Sequence, residues 1–108
     1  MNFDDLARDA KELLNLRPDG WTCHFFHDMV KLAEETGEVA ECMVKSHKTK
    51  EDLGEELSDV MVVVAVIALR AGIDLNDAHP KKQAKRVQKL LKRFHSGKQT
   101  DPDIKVSL

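Results

Sequence analysis

The chain has 108 residues, 42% hydrophobic and 33% charged, with a formal net charge of -2, five Gly and three Pro. That balance describes one helical domain over 1–108 with a modest core, helped by self-association, and excludes a disordered or disulfide-stapled chain. The absence of Tyr and the single Trp argue against a stacking platform for single-stranded nucleic acid.

The opening "MNFDDLARDAKELL" has acids in its first turn and no basic leader, so neither a secretory nor a transit sequence is expected. Phe3, Leu6, Ala7, Ala10, Leu13 and Leu14 recur at helical spacing, and "NLRPDG" then breaks the pattern. A first helix over about 2–15 follows. After Trp21 a second amphipathic pattern runs through Phe25, Met29, Leu32, Ala33, Thr36, Val39, Ala40 and Met43, and fades in "KSHKTK". Cys23 and Cys42 form no CxxC and read as reduced thiols near a core.

The third helix is predicted to start at Thr49, which with Asp52 makes a capping-box pattern, and to stop at Gly72. Its run from Val60 to Leu69 is about half the roughly 20 residues that cross a bilayer, so a cytoplasmic protein without a membrane partner is expected. Valine on every face of this helix predicts deep burial and a subunit interface. The fourth helix is predicted to open near Asn76 or Asp77 and to take Pro80 in its first turn. Ala84, Val87, Leu90, Leu91 and Phe94 are its expected buried stripe. Residues 96–108 read as a tail or arm, leaving a core over about 21–95. The fold class is all-α, a four-helix bundle-like protomer assembling into a homodimer or homotetramer.

Ten of the nineteen acids lie between Asp28 and Asp59, and eight of the seventeen Lys and Arg between Lys81 and Lys98. At about 100° per residue, Glu35 and Glu38 flank the apolar stripe of the second helix, while Glu34 and Glu41 face water. Glu56 and Asp59 flank the third helix with the same offset, and Glu55 faces out. If the two helices form an antiparallel hairpin over "SHKT", Glu35 is level with Asp59 and Glu38 with Glu56, so four carboxylates converge. Such a cluster needs a counter-charge, and oxygen donors without histidine favour Mg²⁺ or Mn²⁺ over zinc. The competing reading pairs these acids with Lys31 and Lys45 on solvated helix faces.

"KLAEETGEVAEC" followed by "EELSDVMVVVAVIALRAGIDL" resembles the MazG-like branch of the all-α nucleoside triphosphate pyrophosphohydrolases, whose signature is ExxE on one helix and ExxD on the next. The resemblance implies hydrolysis of an NTP or dNTP to the monophosphate and pyrophosphate, with nucleotide-pool housekeeping as the expected role. Magnesium, or manganese in its place, would sit on Glu35, Glu38, Glu56 and Asp59, with Glu35 or Glu38 orienting or deprotonating the attacking water. The family often carries a Lys, an Asn four positions later and a further basic residue on the last helix. Here Lys82, Arg86 and Lys89 stand in those places, with Arg86 replacing the Asn. Lys82 and Arg86 are candidate phosphate contacts, and a solvated basic face explains them equally well. Trp21 is a candidate stacking partner for the base, or a core or staple residue. Two alternatives stay open: a phosphoribosyl-ATP pyrophosphohydrolase, and a non-catalytic helical module that binds nucleic acid or a protein through its basic last helix.

Overall fold

A computed structural model describes residues 1–17 and 25–95. It is all-α, with no strand among the described residues: α1 spans Phe3–Asn15, α2 Phe25–Val44, α3 Lys50–Ala71 and α4 Leu75–Leu90, followed by a π-helical turn over Leu91–His95. No helix among the described residues is long and apolar enough to cross a membrane. The chain divides into two compact units, Met1–Leu75 and Asn76–Leu108. Trp21, Cys23 and the 96–108 segment lie outside the described residues.

In the first unit α3 is central, with α1 and α2 both packed against it. The α1 start is a capping box: Asn2 Oδ1 accepts the Asp5 N–H at 2.9 Å, and the Asn2 N–H donates to Asp5 Oδ2 at 3.0 Å. Leu6 and Ala10 then bury against Ala65 and Val66 of α3, with Phe3, Leu14, Met61 and Val62 around them. The small side chains of Ala10 and Ala65 let the two backbones approach closely.

Both ends of α3 fall where local chemistry dictates. Thr49 and Asp52 exchange the reciprocal bonds of a capping box at 3.1 and 2.8 Å. At the other end Gly72 takes φ 67, a left-handed conformation that a Cβ would strain. Its N–H reaches the Leu69 carbonyl and the Ile73 N–H the Ala68 carbonyl, the bond pair of a Schellman motif. Burial on every face is not met within the chain: Val63, Ala65, Val66 and Ala68 are buried, but Val64 and Leu69 are exposed.

The inward face of α2 also differs from the expected one. Its buried residues are Asp28, Glu35 and Cys42; of the predicted apolar stripe Leu32 and Val39 are half-buried, while Phe25, Met29 and Met43 are exposed. Glu35 therefore occupies the α3-facing side rather than its margin. Asp28, 2% exposed, is held there by Arg70 near the end of α3, with Oδ2 2.7 Å from Nε.

The second unit departs from expectation in the place of its proline and in the burial of its stripe. Opening at Leu75, α4 carries Pro80 as its sixth residue, beyond the first turn, where it cannot donate to the carbonyl four residues back. None of the α4 residues is buried: Ala84, Val87 and Leu90 are exposed, and in the π-helical turn that follows Phe94 is exposed and Leu91 half-buried. Among the described residues this unit has no second α-helix, and a single α-helix cannot cover its own stripe. On its surface Lys81 pairs with Asp77 at 3.0 Å, and the Arg93 guanidinium lies 4.9 Å from the Phe94 ring centre.

Candidate metal centre

Glu35 and Glu38 come from α2, Glu56 and Asp59 from α3, and each offers one carboxylate oxygen to a cluster whose atoms all lie within 4.8 Å of one another. The convergence follows from sequence spacing. A separation of three residues keeps two acids on one side of a helix about 4.5 Å apart in height, and the hairpin sets the two pairs opposite each other. Glu35 is buried, Glu38 and Glu56 are half-buried, and Asp59 is exposed. The centre is thus buried at Glu35 and accessible to solvent at Asp59.

Four carboxylates at this spacing cannot all remain charged without compensation. The Lys31 Nζ lies 3.1 Å from Glu35 Oε1 and also pairs with Glu34 at 3.7 Å. The Glu35 hydrogen bond is the main reason that the Lys31 pKa is raised. One ammonium does not neutralise the group. Hydrogen bonding to Glu56 and to Glu35, reinforced by the negative charge of Glu35, pushes the Glu38 carboxyl up to about 7. Partial desolvation of this largely exposed side chain, then repulsion from Glu35 and Glu56, pushes Asp59 up as well.

Glu35 Oε2 and Glu56 Oε2 are buried with no hydrogen-bond partner. An unpaired buried carboxylate oxygen is costly, and a hard divalent cation is the partner that an all-oxygen donor set fits. The neighbouring acids behave differently. Glu41 pairs with Lys45, and Glu55 is exposed, so the solvated-face reading describes these residues. It also catches Lys31, which pairs with a member of the cluster.

A pocket of about 350 Å³ adjoins the cluster, with Glu35 and Asp59 in its wall. Leu13, Leu14 and Arg17 close it from the α1 side, Lys31 from α2, and Val62, Val63 and Val66 from α3. Neither the pocket nor the place of Arg17 and Lys31 in its wall follows from the sequence reading. The one available signal was Lys31, four residues before Glu35 and therefore on the same helix face. Lys82 and Arg86 are exposed on α4 in the other compact unit, where Arg86 Nη1 donates to Gln83 Oε1 at 3.2 Å.

Residues 28–94 match the model of the MazG nucleotide pyrophosphohydrolase domain. The chain belongs to this family. The match spans both acidic motifs and α4, and leaves out α1. No curated protein and no solved structure matches the chain. Family membership gives the MazG domain its general activity, nucleotide pyrophosphohydrolysis, and the all-α architecture agrees with the resemblance seen in the sequence.

Proposed function

We propose that this MazG domain hydrolyses a nucleoside or deoxynucleoside triphosphate to the monophosphate and pyrophosphate, in a nucleotide-pool housekeeping role. The observation that carries the reading is the set of four carboxylates from two helices with oxygens within 4.8 Å of one another. Glu35, Glu38, Glu56 and Asp59 would hold Mg²⁺, or Mn²⁺ in its place. When bound, the cation supplies charge neutralisation for the triphosphate and acidifies a coordinated water.

The protein's own contribution is positional. Burial fixes Glu35 against α3, and the capped, rigid α3 fixes Glu56 and Asp59 at a set height. Glu38, less buried than Glu35, is suited to orient the attacking water and take its proton. A second copy of the chain would cover the apolar residues that α2 and α3 leave exposed, Phe25, Met29, Met43, Leu57 and Val64.

The test is a panel of NTPs and dNTPs with Mg²⁺ or Mn²⁺ and mass spectrometry of the products. Monophosphate plus pyrophosphate is expected. Release of diphosphate plus orthophosphate would refute the assigned reaction.

A further inference from the structure

We propose that the pocket beside the acids receives the nucleoside end of the substrate, that α1 supplies its outer wall, and that Arg17, just beyond α1, supplies a phosphate contact. The inference rests on the hydrolase reading above. It extends the substrate site to a helix outside the matched span 28–94.

Continuity is the first argument. Glu35 and Asp59 belong both to the carboxylate cluster and to the pocket wall, so a molecule filling the pocket ends at the acids. Glu35 is only 6% exposed and its Oε2 lacks a partner, so a polar atom already awaits a ligand at that junction. The wall combines two kinds of chemistry. Val62, Val63, Val66, Leu13 and Leu14 give it apolar surface, whereas Arg17 and Lys31 bring positive charge, Lys31 beside Glu35 itself. An amphiphile with a flat, weakly polar end and a polyanionic end matches that combination. A nucleoside triphosphate is such a molecule, and about 350 Å³ falls in the usual range of roughly 300–1,000 Å³ for small-ligand sites.

The two α1-side residues act on different parts of the ligand. Arg17 presents a planar donor fork that suits phosphate oxygens. Leu13 is 51% exposed, so its contribution to folding is small and its apolar surface is available to a base or sugar.

The experiment uses the full chain, Mn²⁺, and two probes measured by calorimetry: a non-hydrolysable α,β-methylene nucleoside triphosphate, and inorganic tripolyphosphate, which has no nucleoside. Leu13→Ala is expected to weaken the nucleotide analogue roughly fivefold and leave tripolyphosphate unchanged. Arg17→Ala is expected to weaken both about tenfold, and Arg17→Lys to recover part of the loss. In turnover the losses should appear in KM more than in kcat. If both Ala variants bind and turn over nucleotide like the wild type, the pocket assignment is wrong and the hydrolase reading stands. Equal weakening of both probes by Leu13→Ala also overturns it, because α1 would then act through the fold. A wild type that neither binds nor hydrolyses any nucleotide removes the hydrolase reading, and this inference with it.

Discussion

Asp28 Oδ2 and Arg70 Nε lie 2.7 Å apart, joining the first turn of α2 to the last turn of α3. The Asp28 side chain is 2% exposed and that of Arg70 20%, so this is a buried pair. Removing one partner leaves the other charge buried and uncompensated, at a cost of about 3–5 kcal/mol, against a total stability of about 5–15 kcal/mol. Asp28→Ala and Arg70→Met should each lower the urea midpoint strongly. The double replacement Asp28→Leu with Arg70→Met should recover much of the loss, since an apolar pair of similar volume carries no desolvation penalty. Chemical denaturation of the three variants measures the coupling; additive losses would show that the pair is not the source of the stability.

The acidic cluster sets function against stability. Glu56→Gln removes a charge that repels Glu38 and Asp59, and replaces it with a group that can donate a hydrogen bond. The metal-free protein should therefore melt at a higher temperature than the wild type. The same change should reduce the rise in melting temperature on adding Mn²⁺ and lower turnover by about 100-fold or more. A calorimetric scan with and without the ion, beside a pyrophosphate-release assay, checks all three. A metal-free melting temperature below that of the wild type would contradict the repulsion argument.

Local signals were legible in the sequence, and tertiary ones were not. Thr49, Asp52 and Gly72 determine the ends of α3 through bonds spanning at most five residues, so their chemistry can be read without knowing the neighbours. The convergence of Glu35, Glu38, Glu56 and Asp59 was legible because spacing and hairpin register decide it. The inward face of α2 was not. Hydrophobicity reports what must be buried, not against which neighbour, and it pointed to Phe25, Met29 and Met43, whereas the buried residues are Asp28, Glu35 and Cys42. The stripe of α4 failed for the same reason. The α1 wall of the pocket depends on how Leu6 and Ala10 seat against α3, a contact that no local pattern encodes.

Metal binding should depend on pH in the range set by Glu38. Its carboxyl rises from an ordinary value of 4.5 to about 7. A folded-state value above the unfolded one means that protonation favours the metal-free fold. That contribution is complete below about 4.5 and disappears as pH rises through about 7. Asp59, also raised, acts with the same sign. A divalent cation needs the deprotonated cluster, so its effect runs the other way. The shift in melting temperature caused by Mn²⁺ should be small near about pH 5.5 and full by about pH 8. Thermal scans across that range at fixed ionic strength provide the check, and a shift independent of pH would remove Glu38 from the ion's ligands.

Glycine tests whether α3 is fixed by its caps. Gly54 lies inside the helix with nothing within 4 Å of an added Cβ, and its φ is not positive. Gly54→Ala should stabilise by about 0.5–1 kcal/mol through the entropy of the unfolded chain. Gly72 also has open space, but its φ of 67 strains any side-chain-bearing residue, so Gly72→Ala should cost about 1–2 kcal/mol. Because the added methyl meets open space at both sites, backbone conformation alone decides the sign. Equal effects of the two substitutions in urea titrations would contradict the left-handed cap.

Met29 on α2 is 59% exposed and Val64 on α3 38%, although both lie on stripes that the sequence assigns to a core. Phe25, Met43 and Leu57 are exposed as well, so several large apolar side chains of α2 and α3 lack a cover. Each stripe lies about 100° around its helix from the acids, so a second copy could cover it without capping the carboxylates. Light scattering on the wild type should give a multiple of the chain mass. Val64→Glu should shift it to the monomer, because a charge buried at an interface is heavily penalised. Glu55→Lys, on the exposed side of the same helix, serves as the control for charge change alone and should leave the assembly intact. A wild type that is monomeric at micromolar concentration would leave the stripe solvated and the proposed second copy without support.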